Sequence, residues 1–258
     1  MEIPRSPRAP RGRGYSRADA ALEITKFDSL VSAQKESLQM KWFTSVMFAL
    51  ISSQALGASI FTSVPEQVDA SKNYLIYLHG AIIEKKGPKP IDSRFGVYDY
   101  PGILDALSRS GDVVISQARE PDTDVNRYSG IVIAEIYKLI KAGVPQGHIA
   151  VVGFSKGGDI AEHVSSFLRM KDIRYVLLAA CWPKPDEPQL RLTGHIFSVY
   201  EESDTLAGFS CRPLTAHADK PTSFEELKIS TGLSHGAFYR PREEWLVPVI
   251  KYLHDEKR

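Results

Sequence analysis

At 258 residues, 43% apolar and 24% charged, the chain is long enough for one domain with a well-buried core and has the composition of an ordinary globular protein. A net charge of +1 excludes a general attraction to nucleic acid or anionic lipid and points to a small or uncharged substrate. Cys181 and Cys211 are the only thiols and have no metal-ligand spacing, which excludes a disulfide scaffold and a zinc module. An oxidising compartment would allow the two to pair, and two separate buried thiols are the alternative.

The front of the chain differs from the rest. Residues 1–17 carry five arginines and three prolines with little apolar matter, too little to order themselves. Met40-Lys41-Trp42-Phe43 then opens an apolar run that trails into Gln54-Ala55-Leu56-Gly57-Ala58, the three regions of a secretory signal peptide. The small-x-small pair Ala55 and Gly57 predicts a signal peptide over 40–57, cleavage after Gly57 and a secreted or periplasmic mature protein. Met40 is then the expected start, residues 1–39 a disordered or spurious upstream extension, and 58–258 the folded domain. The alternatives are a signal anchor through residues 42–60, marginal in length for a span, a buried helix, or a transit peptide diluted by acidic residues. The expected mature protein has no stable membrane span; its oligomeric state is left open.

From residue 72 the pattern is regular. Tyr74–Leu78 reads as a buried strand, Tyr100–Arg109 as a helix, and Val113–Ser116 as a strand. Arg127–Lys141 has a helical apolar face closed by Gly143, and Ile149–Val152 is a strand leading into the helix Lys156–Met170. Tyr175–Ala180, Ile196–Tyr200 and Phe224–Ile229 are further strands, and Arg242–His254 is a closing helix. Continuous apolar strands alternating with helices predict an α/β fold with a mostly parallel, doubly wound sheet and no large lid domain. Only 48 residues separate Ser155 from Asp204, so the pocket rim must come from the loops 84–99, 119–128 and 182–191. Arginines on those loops could meet an acidic group of a substrate, but isolated loop arginines are more often solvated, and that is the expectation.

Gly153-Phe154-Ser155-Lys156-Gly157 joins a strand to a helix, the setting in which a G-x-S-x-G pentapeptide exposes a nucleophilic serine; an ordinary βα turn is the alternative. A serine hydroxyl needs a base, and an imidazole can take its proton and return it. His235, in Gly232-Leu233-Ser234-His235-Gly236 after the last strand, is the candidate among seven histidines. Asp204, after the strand ending at Tyr200, is the candidate carboxylate that orients it; Glu201 and Glu202 are neighbours that could replace it, and Asp186 is a distant third choice. If none serves, these are acids of a solvated loop. The oxyanion donors would be the backbone N–H of Lys156 and that of Ala81 or Ile82 in the loop after His79-Gly80.

These stations, with the fuller strings Leu78–Glu84 and Gly232–Pro241, resemble the α/β-hydrolase superfamily over most of 72–258, in particular small capless bacterial members of unassigned substrate. The resemblance implies an α/β-hydrolase fold and hydrolysis. Lys156 departs from it, since many members carry a smaller or less charged residue there, and its side chain could bring a positive charge near the site. The expected function is a serine hydrolase, carboxylesterase-like, cleaving an ester or related acyl bond of a small molecule through Ser155, His235 and Asp204, with no metal and no cofactor. The alternatives are a peptidase or other triad chemistry, or a non-catalytic binding protein on the same fold.

Overall fold

The computed structural model describes residues 60–183, 190–216 and 220–255. The expected extension 1–39, the expected signal segment 40–57 and Asp186 lie outside the described residues. Among the described residues nine strands follow in order: β1 Ile60–Phe61, β2 Tyr74–Leu78, β3 Ile91–Asp92, β4 Gly96–Val97, β5 Val113–Ile115, β6 Ile149–Phe154, β7 Arg174–Leu178, β8 His195–Glu201 and β9 Ser223–Ile229. The helices are α1 Ala81–Lys86, α2 Tyr100–Ser108, α3 Val125–Lys141, α4 Lys156–Leu168 and α5 Glu243–Leu253. Seven strands form one sheet in the order β1-β5-β2-β6-β7-β8-β9, and every pairing in it is parallel. The remaining two, β3 and β4, make a small antiparallel hairpin.

Every residue of β2, β6 and β7 is buried, as expected for parallel strands covered on both faces. On one face Tyr77, Val152 and Val199 pack with Ile103 and Leu107 of α2 and Trp245 and Val249 of α5. On the other, Ile76, Val151 and Leu177 pack with Ile136 and Leu139 of α3 and Ile160 and Val164 of α4. Caps set the helix starts: Asp99 accepts from Gly102 N (3.4 Å) ahead of α2, and Asp124 from Arg127 N (2.8 Å) ahead of α3. The Asp124 cap is why α3 begins two residues before the expected Arg127.

The chain leaves β2 for β5 on one side and returns to β6 on the other. The carboxyl ends of β2 and β6 therefore flank a topological switch point, where open α/β sheets bind their ligands. Where the sequence suggested loops, the structure has α1 and the β3–β4 hairpin. Tyr98, expected on the pocket rim, is fully buried. Among the described residues no helix is long and apolar enough to cross a membrane.

Candidate active site

Ser155 caps α4 with φ 52° and ψ −122°, a left-handed conformation that a non-glycine residue adopts only when its surroundings enforce it. Hydrogen bonds on both sides do so: Ser155 N donates to Leu178 O at the end of β7 (2.9 Å), and Asp159 N donates to Ser155 O (3.0 Å). The neighbours must also be bare. A Cβ on Gly157 would overlap the carbonyls of Leu78 and His79, and one on Gly158 would overlap Ala180. The glycines thus let α4 cross the ends of β2 and β7 closely enough to hold the serine at the sheet edge.

His235 lies on a single 3-10 turn, Ser234–Phe238, after β9. Its ring packs on Phe154 (centroids 4.8 Å apart), the residue before Ser155, and on Phe95 (6.0 Å). Asp204 follows β8. Its Oδ1 accepts from Leu206 N (2.9 Å) and Ala207 N (3.2 Å), and its Oδ2 lies 2.7 Å from His235 Nδ1. Burial acts to raise the Asp204 pKa, but the bond to His235, its charge and the two amides together hold it below the ordinary value. A carboxylate at Oδ2 requires the proton on Nδ1, which leaves Nε2 as the basic nitrogen.

The neighbouring acids are occupied elsewhere. Glu201 is buried; its Oε2 takes Ser203 N (2.7 Å) and Oγ (2.6 Å), and its Oε1 takes Thr231 N (2.9 Å) and Gly232 N (3.0 Å). It is not the acid of a solvated loop: it ties the turn after β8 to the segment that carries His235. Glu202 is exposed and pairs with Lys228 (2.6 Å) and Ser230 (2.6 Å).

The turn after β2 abuts the serine. A Cβ on Gly80 would lie 3.1 Å from the Phe154 ring and 3.6 Å from Ser155 Cβ. Ala81 and Ile82 open α1 and Lys156 opens α4, and the first N–H groups of a helix have no intrahelical acceptor. His79 is fully buried: its Nε2 accepts from Arg119 N (2.9 Å), so the proton is on Nδ1, which donates to Gly80 O (2.8 Å). Burial first, and then the Arg119 charge, push its pKa down to about 3, so this ring stays neutral. The Lys156 ammonium is not a loose charge near the serine: it pairs with Glu84 (2.7 Å). Arg119, expected to be solvated, is buried against the same carboxylate. Nothing in the local sequence signals Glu84 or Arg119, which lie 72 and 37 residues from Lys156.

Cys181, after β7, and Cys211, between β8 and β9, form a disulfide with Cα atoms 5.0 Å apart. With Glu162 they are the one cluster of metal-ligand residue types among the described residues. Joined sulfurs are not thiolates, so the cluster does not fit an ion. A cleft of about 660 Å³ runs beside Lys156, lined by Asp124, Asn126, Asp159, His163 and Phe167.

No family model matches the chain, and no curated protein matches it. Solved structures do. Esterase PE8 superposes with a TM-score of 0.51 at 13% identity, covering 75% of this chain and 98% of its own. EstE5 gives 0.51 at 12% identity, over 74% and 78%. SOBER1 from Arabidopsis thaliana gives 0.48 at 13% identity, over 72% and 100%, a score on which nothing further rests. At such identities the likeness is one of fold: the chain has the fold of the α/β hydrolases.

Proposed function

We propose that the protein is a serine hydrolase that cleaves a carboxylic ester or related acyl bond of a small molecule. The observation that carries this reading is the Asp204–His235 pair (2.7 Å) packed on the residue before a serine held in a strained strand-to-helix turn. Ser155 Oγ attacks the carbonyl carbon while His235 Nε2 takes its proton, and Asp204 stabilises the imidazolium. The negative oxygen of the tetrahedral intermediate is received by the N–H of Lys156 and that of Ala81 or Ile82. Collapse breaks the bond to the leaving alkoxide, which takes the proton from His235. Water, deprotonated by the same imidazole, then releases the acid and restores Ser155.

The reading is supported by the esterases PE8 and EstE5 sharing the fold, and by the strand ends on which these residues stand. Labelling with a fluorophosphonate, followed by hydrolysis of p-nitrophenyl esters of increasing chain length, tests it. The parent should label at Ser155 and turn over at least the short esters; Ser155→Ala should fold, fail to label and be inactive. Undiminished labelling of Ser155→Ala would overturn the assignment.

A further inference from the structure

The proposed oxyanion donors stand on two helices: Lys156 opens α4, and Ala81 and Ile82 open α1. One buried carboxylate connects them. Glu84, on α1 and 1% exposed at its side chain, takes Lys156 Nζ on Oε2 (2.7 Å) and Arg119 Nε on Oε1 (2.9 Å). Arg119, also 1% exposed at its side chain, donates through Nη2 to His79 O and through its backbone N–H to His79 Nε2. His79 in turn donates to Gly80 O, the last carbonyl before α1. The first residue of α4, the fourth of α1, the turn after β2 and the segment after β5 are thus joined through one side chain.

Stability does not account for such a cluster. Removing three charges from water offsets most of their attraction, and well-packed apolar side chains would serve as well or better. What the cluster supplies is geometry. Two oxygens of one rigid carboxylate receive two cations from different elements, and each cation is bonded along a fixed direction.

Resting on the reading of Ser155 as nucleophile, we propose that Glu84 is the positioning residue of the oxyanion site. It holds the N–H of Lys156 and the N–H groups of Ala81 and Ile82 at one fixed separation, with Lys156 and Arg119 as its two anchors. Donors fixed in advance need no rearrangement as charge develops on the substrate oxygen, which is where such donors contribute most. Because Glu84 neutralises the ammonium, Lys156 acts through its backbone rather than as a mobile cation.

Glu84→Gln, Lys156→Met, their double variant and Lys156→Arg test this in the full chain, with circular dichroism and melting temperature as controls of folding. A glutamine replaces one acceptor oxygen by an NH2 donor, so it keeps only one of the two anchors. Glu84→Gln and Lys156→Met should each lower kcat by about tenfold or more, short of the 10²–10³ for losing a donor outright, with KM within about twofold and fluorophosphonate labelling slowed in parallel. The double variant should be within about twofold of the worse single, since both changes remove one bridge. Lys156→Arg, which restores the bridge, should keep kcat within about threefold. If Glu84→Gln does not fold, Lys156→Met, on a side chain 22% exposed, decides the matter with the arginine rescue. Unchanged kcat in folded Glu84→Gln or Lys156→Met, multiplicative losses in the double, or an effect on KM alone, which would make Lys156 a substrate-binding cation, each overturn the proposal while an active, labelled parent leaves the reading of Ser155 standing. A parent that neither labels nor hydrolyses esters overturns both.

Discussion

Over the four positions 201 to 204, where β8 ends, three acids meet three different environments. Asp204 faces His235, Glu201 is buried among the amides of two turns, and Glu202 reaches solvent and Lys228. Asp204→Asn should lower turnover by about four orders of magnitude, because the amide favours the imidazole tautomer that cannot accept the serine proton. Glu201→Gln should act on stability instead. Weakening charge-assisted bonds to Ser203, Thr231 and Gly232 costs about 1.5–3 kcal/mol, while turnover stays within about tenfold. Glu202→Gln should move the melting temperature little, since water screens an exposed pair and holding two long side chains in one geometry costs entropy. Steady-state kinetics and thermal melts of the three variants check this, and a turnover loss in Glu201→Gln equal to that in Asp204→Asn would transfer the orienting role. Ser155 and His235 stand out in the sequence because glycine-rich turns at strand ends mark them. The buried place of Glu201 depends on how two distant turns meet, and no local pattern carries that. The same holds for Glu84 and Arg119, whose partnership exists only once β2, β5 and β6 lie side by side.

Strands and helices long enough to show a period, β2 and β6 to β9 with α2 to α5, are legible to within a few residues. The six-residue α1 shows less than two turns of pattern, and β1, β3 and β4 have two residues each, so they fall below what periodicity can mark. The elbow between β6 and α4 gives the sharpest test at this scale. Gly157→Ala would drive a methyl into the Leu78 and His79 carbonyls, and backbone cannot yield as a side chain does. We expect a loss of at least about 3 kcal/mol, at the upper end of overpacking costs, or failure to fold. Gly130→Ala, inside α3 with open space around the new methyl, should instead stabilise by about 0.5–1 kcal/mol. Denaturant melts of the two variants should shift in opposite directions; a neutral Gly157→Ala would show that the turn is looser than its contacts imply.

For the molecule as a whole, two histidines make stability depend on pH in separate windows. His79 has its pKa depressed to about 3 when folded, chiefly by burial, whereas unfolded it titrates near the ordinary 6.5. Its contribution is therefore complete above 6.5 and lost as the pH falls towards 3, because only the unfolded chain binds that proton in between. His254, 3.2 Å from Asp112, is shifted the other way, by hydrogen bonding and charge against a smaller effect of burial; the contact is loosely aligned and we read it as an ion pair. Its contribution is complete below 6.5 and lost as the pH rises through the raised value, and its partial exposure keeps it small. Denaturant melts between pH 6 and 5 should show stability falling with a slope approaching about 1.4 kcal/mol per pH unit, the value for one proton. A flat profile there would mean that His79 charges without unfolding the protein. The disulfide has a consequence of another kind. It spans β8, joining a point before the strand to a point after it, so residues 181 to 211 form a covalently closed ring with Asp204 on its circumference. A protease that severs one peptide bond between 182 and 210 opens the ring without parting the molecule. The two fragments stay linked through sulfur, and Asp204 stays tethered to the fold by whichever arm remains.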